Sequence, residues 1–235
     1  MPSVFTVTPP FFEIGPKAYL YGDKVVALAQ AADSLAAEYA VQIFFTPQAV
    51  DIYRVAHATS NICVFAQHMD ALPVGRGVGS TLPEAVAAAG AKGVLLNHAE
   101  KPLPLDLIAL TIQRAREVGL ATMVCAGNLE ETRHVAALKP DVLLAEAPEL
   151  IGTGKREDDD DQVIRRINEE VRCIAPQVKV LHGAGITNEQ DVYRIMRAGA
   201  EGTGSTSGIL KAADPYLMME KMIRAVRQGW VETHT

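Results

Sequence analysis

The sequence predicts an α/β fold, a single (β/α)8 barrel spanning residues 1–235. Three observations point there. Short apolar runs alternate with longer segments of helical periodicity, which is the pattern of βαβ units and a parallel sheet. There are eight such runs, and no break in composition divides them. Eight strand–helix units with short connections fit a closed barrel better than an open doubly wound sheet.

The strands are expected at Phe11 to Gly15, Val41 to Thr46, Ile62 to Gln67, Gly93 to Leu96, Ala121 to Ala126, Val142 to Glu146, Val178 to Gly183 and Glu201 to Ser205. Between them, helical patterns cover Asp23 to Tyr39, Leu82 to Ala89, Leu105 to Val118, Leu129 to Leu138, Gln162 to Ile174, Glu189 to Ala198 and Pro215 to Gly229. Thr81 with Glu84, and Thr187 with Gln190, have the spacing of a reciprocal cap, in which each side chain satisfies the other's backbone N–H. Gly90, Gly119 and Gly199 stand where a helix ends in a left-handed residue before the next strand.

Composition narrows the function. About half the residues are apolar (49%), enough for a sizeable core, and the net charge of −6 gives no basic surface for nucleic acid or anionic lipid. Neither nucleic acid nor a membrane is therefore expected as a partner, and no apolar stretch approaches the roughly 18 residues of a spanning helix. Met1 to Phe12 lacks a basic region followed by a long apolar run, so a leader is not expected and a cytoplasmic protein is. Cys63, Cys125 and Cys173 form no CxxC pair and are expected as reduced core thiols. The run Lys155 to Asp161 carries four consecutive aspartates. Adjacent carboxylates point in different directions instead of converging on an ion, so no metal and no cofactor is expected.

Chemistry in such a barrel sits at the C-terminal ends of the strands. Lys17 follows the first strand, Asn97, His98 and Glu100 follow the fourth, and Glu146 ends the sixth. A cation, an imidazole and a carboxylate thus share one mouth. Gly152-Thr153-Gly154, Gly183-Ala184-Gly185 and Ser207-Gly208 follow strands six, seven and eight. Glycines there let backbone N–H groups approach an anion such as a phosphate.

Several segments carry a family resemblance: Lys17-Ala18-Tyr19, Gln67-His68-Met69-Asp70, Leu95-Leu96-Asn97-His98-Ala99-Glu100, Glu146 through Gly154, Gly183-Ala184-Gly185-Ile186 and Ser207-Gly208-Ile209. With them the chain resembles the triose-phosphate isomerase family in its short archaeal form, and so the TIM-barrel fold. The resemblance implies Glu146 as the catalytic base, His98 as the electrophile and Lys17 as the cation that neutralises the phosphate and polarises the substrate oxygen. It implies Glu100 as a supporting carboxylate beside Asn97, and Gly152, Gly185, Ser207 and Gly208 as phosphate-binding positions. Residues 147–155 resemble the family's active-site lid. The implied substrate is a small phosphorylated sugar, and the implied assembly a homodimer or homotetramer.

The chain departs from the family pattern at four places. Asn-x-Lys reads Gly15-Pro16-Lys17, Asn-His-Ser-Glu reads with Ala99, Gly-x-x-Thr-Gly reads Gly75-Arg76-Gly77-Val78-Gly79, and the eighth strand is the small, polar Gly202-Thr203-Gly204-Ser205. The threonine replaced by Val78 reaches across the family's dimer interface to the missing asparagine, so donor and target are lost together. Gly15 is expected to open room for a larger substrate. An isomerase of triose phosphates is thus the leading expectation. The alternatives are an isomerase of a four-carbon ketose phosphate, a phosphosugar-binding barrel without catalysis, and an epimerase or lyase on the same scaffold.

Overall fold

The computed structural model describes residues 5–147, 150–151 and 160–234. Eight parallel strands close into a barrel in sequence order: β1 (Phe11–Ile14), β2 (Gln42–Phe45), β3 (Cys63–Ala66), β4 (Gly93–Leu96), β5 (Ala121–Ala126), β6 (Val142–Ala145), β7 (Lys179–His182) and β8 (Gly202–Gly204). The ring closes where β1 pairs with β8, Phe11 opposite Gly202 and Glu13 opposite Gly204. Each strand lies within one residue of its apolar run, because fully buried parallel strands read as continuous apolar stretches.

Outside the ring run α1 (Asp23–Tyr39), α2 (Ile52–Ala58), α3 (Pro83–Ala88), α4 (Leu105–Glu117), α5 (Leu129–Ala137), α6 (Asp160–Ile174), α7 (Glu189–Arg197), α8 (Ser207–Leu210) and α9 (Pro215–His234). The short helices α2 and α8 are additions to the sequence expectation. In α2 only Ile52 and Val55 are buried, too few apolar positions to establish a period. Helix α9 runs to His234, past Gly229, where the sequence predicts its end. A Cβ there would lie 2.6 Å from the Cβ of Met196, so this glycine serves the close packing of α9 on α7.

Both expected caps need correction. Helix α3 starts at Pro83 with no side-chain cap, and the Thr81 N–H donates to Asp70 Oδ2 at 2.7 Å. In α7 the cap is Asn188, whose Oδ1 accepts from the N–H groups of Gln190 and Asp191 at 2.9 and 3.1 Å. Thr187 instead donates its N–H and hydroxyl to Asp191 Oδ2. Gly90, Gly119 and Gly199 do adopt positive φ, at 97°, 77° and 98°.

Side chains alternate along each strand, so one set fills the barrel and the other meets the helices. The outer set, with Phe12, Ile14, Ile43 and Phe45, packs on the helices. The inner set includes Phe11, Phe44, Phe65, Met123, Leu144 and Leu181. The Phe44 ring lies between Phe11 and Phe65, with centroids 5.4 and 4.9 Å away. Cys125 belongs to this interior and Cys63 is partly buried, but Cys173 is exposed on α6, so core filling does not describe it.

Strand β8 is small because β1 is large. A Cβ at Gly202 would run into the Phe11 ring, and one at Gly204 would lie 2.8 Å from the Cβ of Glu13. One turn of the pleat above the phenylalanines the interior turns polar, and there the mouth of the barrel begins.

Candidate active site

The mouth holds two adjoining lobes of about 270 Å³ each, and Glu13, Lys17, Glu100, Glu146 and Thr206 line both. Two of the five non-glycine residues with positive φ among the described residues line it, Lys17 (46°) and Ala184 (59°), and a third, Asn97 (58°), stands just behind it. Such backbone is costly for residues with a Cβ and gathers where geometry is functionally constrained.

Lys17 sits in the turn after β1, and Nζ lies 2.6 Å from Glu100 Oε1. The hydrogen bond from Lys17 is the main reason the Glu100 carboxyl titrates below its ordinary range, against the smaller cost of its partial burial. Gln67 Nε2 clamps the turn by donating to the carbonyls of Lys17 and Thr46 at 3.2 and 2.9 Å.

His98 is oriented by the chain that follows it. Its Nδ1 accepts the N–H of Glu100 at 3.1 Å, so the neutral ring carries its proton on Nε2. That Nε2 stands 3.3 Å from Glu146 Oε2, and both side chains are mostly buried. Asn97 braces the same turn: Nδ2 donates to the Cys125 carbonyl at 3.0 Å and Oδ1 accepts from Leu103 N–H at 2.9 Å. Asn97 faces a separate cavity on the far side of Glu146, not the two lobes. The fold thus brings Lys17, His98, Glu100 and Glu146 together, with Asn97 behind them.

One lobe is walled by the loops after β7 and β8. Gly183, Ala184, Gly185, Ser205 and Ser207 line it, and the consecutive positive φ of Ala184 and Gly185 (59° and 68°) bends this backbone around it. Gly208 lies outside the lining. A Cβ there would be 2.6 Å from both the Ile186 carbonyl and Ser205 Oγ, so its lack of a side chain serves packing. Gly152 and most of the expected lid, residues 147–155, fall outside the described residues, as does most of the charged run Lys155 to Asp161. Leu150 and Ile151 line the lobe.

One prominent group was not anticipated. Glu13 points inward, and its Oε1 accepts a 2.7 Å hydrogen bond from Thr46 Oγ1. Burial pushes its carboxyl up to about 7, helped by the charge of Glu146 and opposed by the Thr46 bond, His98 and Lys17. The available signal was a lone acid at an inward-facing position of Phe11-Phe12-Glu13-Ile14.

Glu13 also corrects the reading of Gly15 as added room. A Cβ at position 15 would meet Glu13 Oε1 at 2.7 Å, Thr46 Oγ1 at 3.1 Å and Thr206 Oγ1 at 3.2 Å. The space above Gly15 is already filled by polar groups of the protein.

A sequence model described as triosephosphate isomerase matches residues 14–226. The triosephosphate isomerase of Saccharolobus solfataricus is 38% identical over 218 residues, covering 92% of this chain and 95% of that protein. That of Methanobacterium bryantii is 41% identical over 202 residues, covering 85% and 89%. The chain belongs to the triosephosphate isomerase family. Membership and geometry agree on the barrel.

The family loop after β3 protrudes here as well. Val74 and Val78 are largely or fully exposed on it, each followed by a glycine at positive φ, Gly75 and Gly79. Its base is tied down by Asp70 at Thr81 N–H and by Arg114 Nη2 at the Leu72 carbonyl. Among the described residues no helix is long and apolar enough to cross a membrane, and no group of three or more His, Cys, Asp or Glu could hold a metal ion.

Proposed function

We propose that the chain interconverts glyceraldehyde 3-phosphate and dihydroxyacetone phosphate through an enediol(ate), with Glu146 as the base. The observation that carries this reading is the His98–Glu146 pair. A carboxylate stands 3.3 Å from an imidazole Nε2 whose proton is fixed by the bond at Nδ1. Glu146 takes the proton from the carbon beside the carbonyl and returns it to the neighbouring carbon, while His98 Nε2–H donates to the oxygens on which charge develops. Lys17 supplies positive charge to those oxygens and to the phosphate, and Glu100 holds its ammonium in place.

The phosphate lies in the lobe walled by the loops after β7 and β8, held by backbone N–H groups around Gly185 and Ser207. Residues 147–155 act as the lid. The site needs no cofactor or metal for this proton transfer, since base, donor and cation are all side chains. A triose is favoured over a four-carbon sugar because the space above Gly15 is taken by Glu13, Thr46 and Thr206. A barrel without catalysis is disfavoured because Lys17, His98 and Glu146 all line the mouth.

The exposed Val74 and Val78 suit burial against a second copy, as a homodimer or homotetramer. A coupled isomerase assay on three- and four-carbon ketose phosphates tests the substrate. Triose preferred by at least tenfold in kcat/KM supports the reading, and a four-carbon preference of that size contradicts it.

A further inference from the structure

The floor of the mouth contains an acid that the family assignment leaves without a role. Glu13 enters from β1, and every element around it is shaped to admit its carboxyl. Gly15 and Gly204 offer no side chain: a Cβ at either would lie within 3.1 Å of a Glu13 carboxyl oxygen. Thr46, at the end of β2, holds Oε1 at 2.7 Å. Thr206 brings a second hydroxyl to the same space, 3.2 Å from a Cβ at position 15. This is a built site, with two glycines and two threonines around one carboxyl at the junction of the two lobes.

We propose that Glu13 is a further catalytic residue, a carboxylic acid whose Oε2–H donates a hydrogen bond to the oxygens of the reacting carbons. The proposal rests on the isomerase reading above. Thr46 occupies Oε1 as donor, which leaves Oε2 to carry the acid proton. The acid form is the productive one on charge grounds, because an ionised Glu13 would face both Glu146 and the developing enediolate with like charge. The charged and titratable groups that bear on Glu13 are Glu146 at the end of β6, His98 after β4 and Lys17 after β1, with the buried Cys125 thiol on β5 also close enough to feel it. Burial outweighs the opposing pull of the Thr46 hydrogen bond, His98 and Lys17 and holds the proton on Glu13 up to about pH 7. No proton is transferred from Glu13 in this scheme. It donates a hydrogen bond that strengthens as charge accumulates on the oxygen.

The sign of the pH dependence follows. Below about 7 Glu13 is a donor, and above it the group becomes an anion, so kcat/KM declines as pH rises through 7. The test is the pH profile of kcat/KM for triose phosphate, from pH 5.5 to 9.5, for the full chain and two variants. Wild type should lose about tenfold per pH unit above 7 until another route takes over. Glu13→Leu should lose ten- to hundredfold in kcat at pH 6. Glu13→Gln, which keeps an acceptor for Thr46 and a donor toward substrate, should recover most of that loss and show no decline above pH 7.

A folded Glu13→Leu with wild-type kcat, or a Glu13→Gln profile that still declines like wild type, overturns the proposal. Circular dichroism establishes folding, and the glutamine variant decides if leucine does not fold. Wild type without triose turnover at any pH would instead remove the isomerase reading itself, and the two failures are thereby distinct.

Discussion

Replacing Glu13 with glutamine should make the protein more stable at neutral and alkaline pH, although it removes a charged residue from a hydrogen bond. The carboxyl is raised from 4.5 to about 7, chiefly because burial penalises the anion. A carboxyl that holds its proton more tightly folded than unfolded contributes stability that is complete below the unfolded value. That stability is lost as pH rises toward the folded value. With about 1.4 kcal/mol per pKa unit, ionising Glu13 costs the wild type roughly 3 kcal/mol by pH 8. Glutamine mimics the neutral acid and keeps the acceptor for Thr46 Oγ1. The variant should therefore match wild type near pH 4.5, gain steadily to pH 7 and hold a plateau of up to about 3 kcal/mol above it. Urea unfolding at fixed protein concentration across pH 4.5 to 8.5 measures this, concentration being fixed because association contributes to apparent stability. A stability difference that does not vary with pH would refute the reasoning, since only a titrating group gives that shape.

Two further predictions concern shape. Gly15→Asn should destabilise the chain by about 1–3 kcal/mol, the usual cost of forcing a side chain into filled space, because its Cβ meets three polar atoms. Removing the obstruction with Glu13→Ala in the same chain should recover much of that loss. A double-mutant cycle by chemical denaturation reports the coupling, and strict additivity would place the obstruction elsewhere. Val78→Asp puts a charge on the fully exposed tip of the loop between β3 and α3, and it should shift sedimentation at micromolar protein from dimer or tetramer toward monomer. An unchanged sedimentation coefficient would argue against contact through this loop.

The strands, the longer helices and the assembly of Lys17, His98, Glu100 and Glu146 at one mouth were legible in the sequence because each follows from a local pattern. Apolar runs mark buried strands, and residues just past a strand end face the barrel mouth. What was not legible depended on residues far apart in the chain. Glu13 gives no local sign of function, and its meaning comes from Thr46, Gly204 and Thr206 on other strands and loops. Gly15 read as an empty space because two of the three groups that crowd it, the hydroxyls of Thr46 and Thr206, come from distant parts of the chain. Gly229 read as a helix end because its partner, Met196, lies on another helix. The small residues of β8 looked anomalous alone and make sense only beside Phe11 and Glu13 of β1.

The central claim is that Glu146 moves a carbon-bound proton, and hydrogen exchange measures that step without depending on the overall rate. Dihydroxyacetone phosphate incubated with the protein in deuterated buffer should take up deuterium at the carbon that gains a proton, as the base exchanges with solvent. Wild type should label it, and Glu146→Gln should do so at least a thousandfold more slowly while binding inorganic phosphate as wild type does. Undiminished labelling in Glu146→Gln would contradict the account.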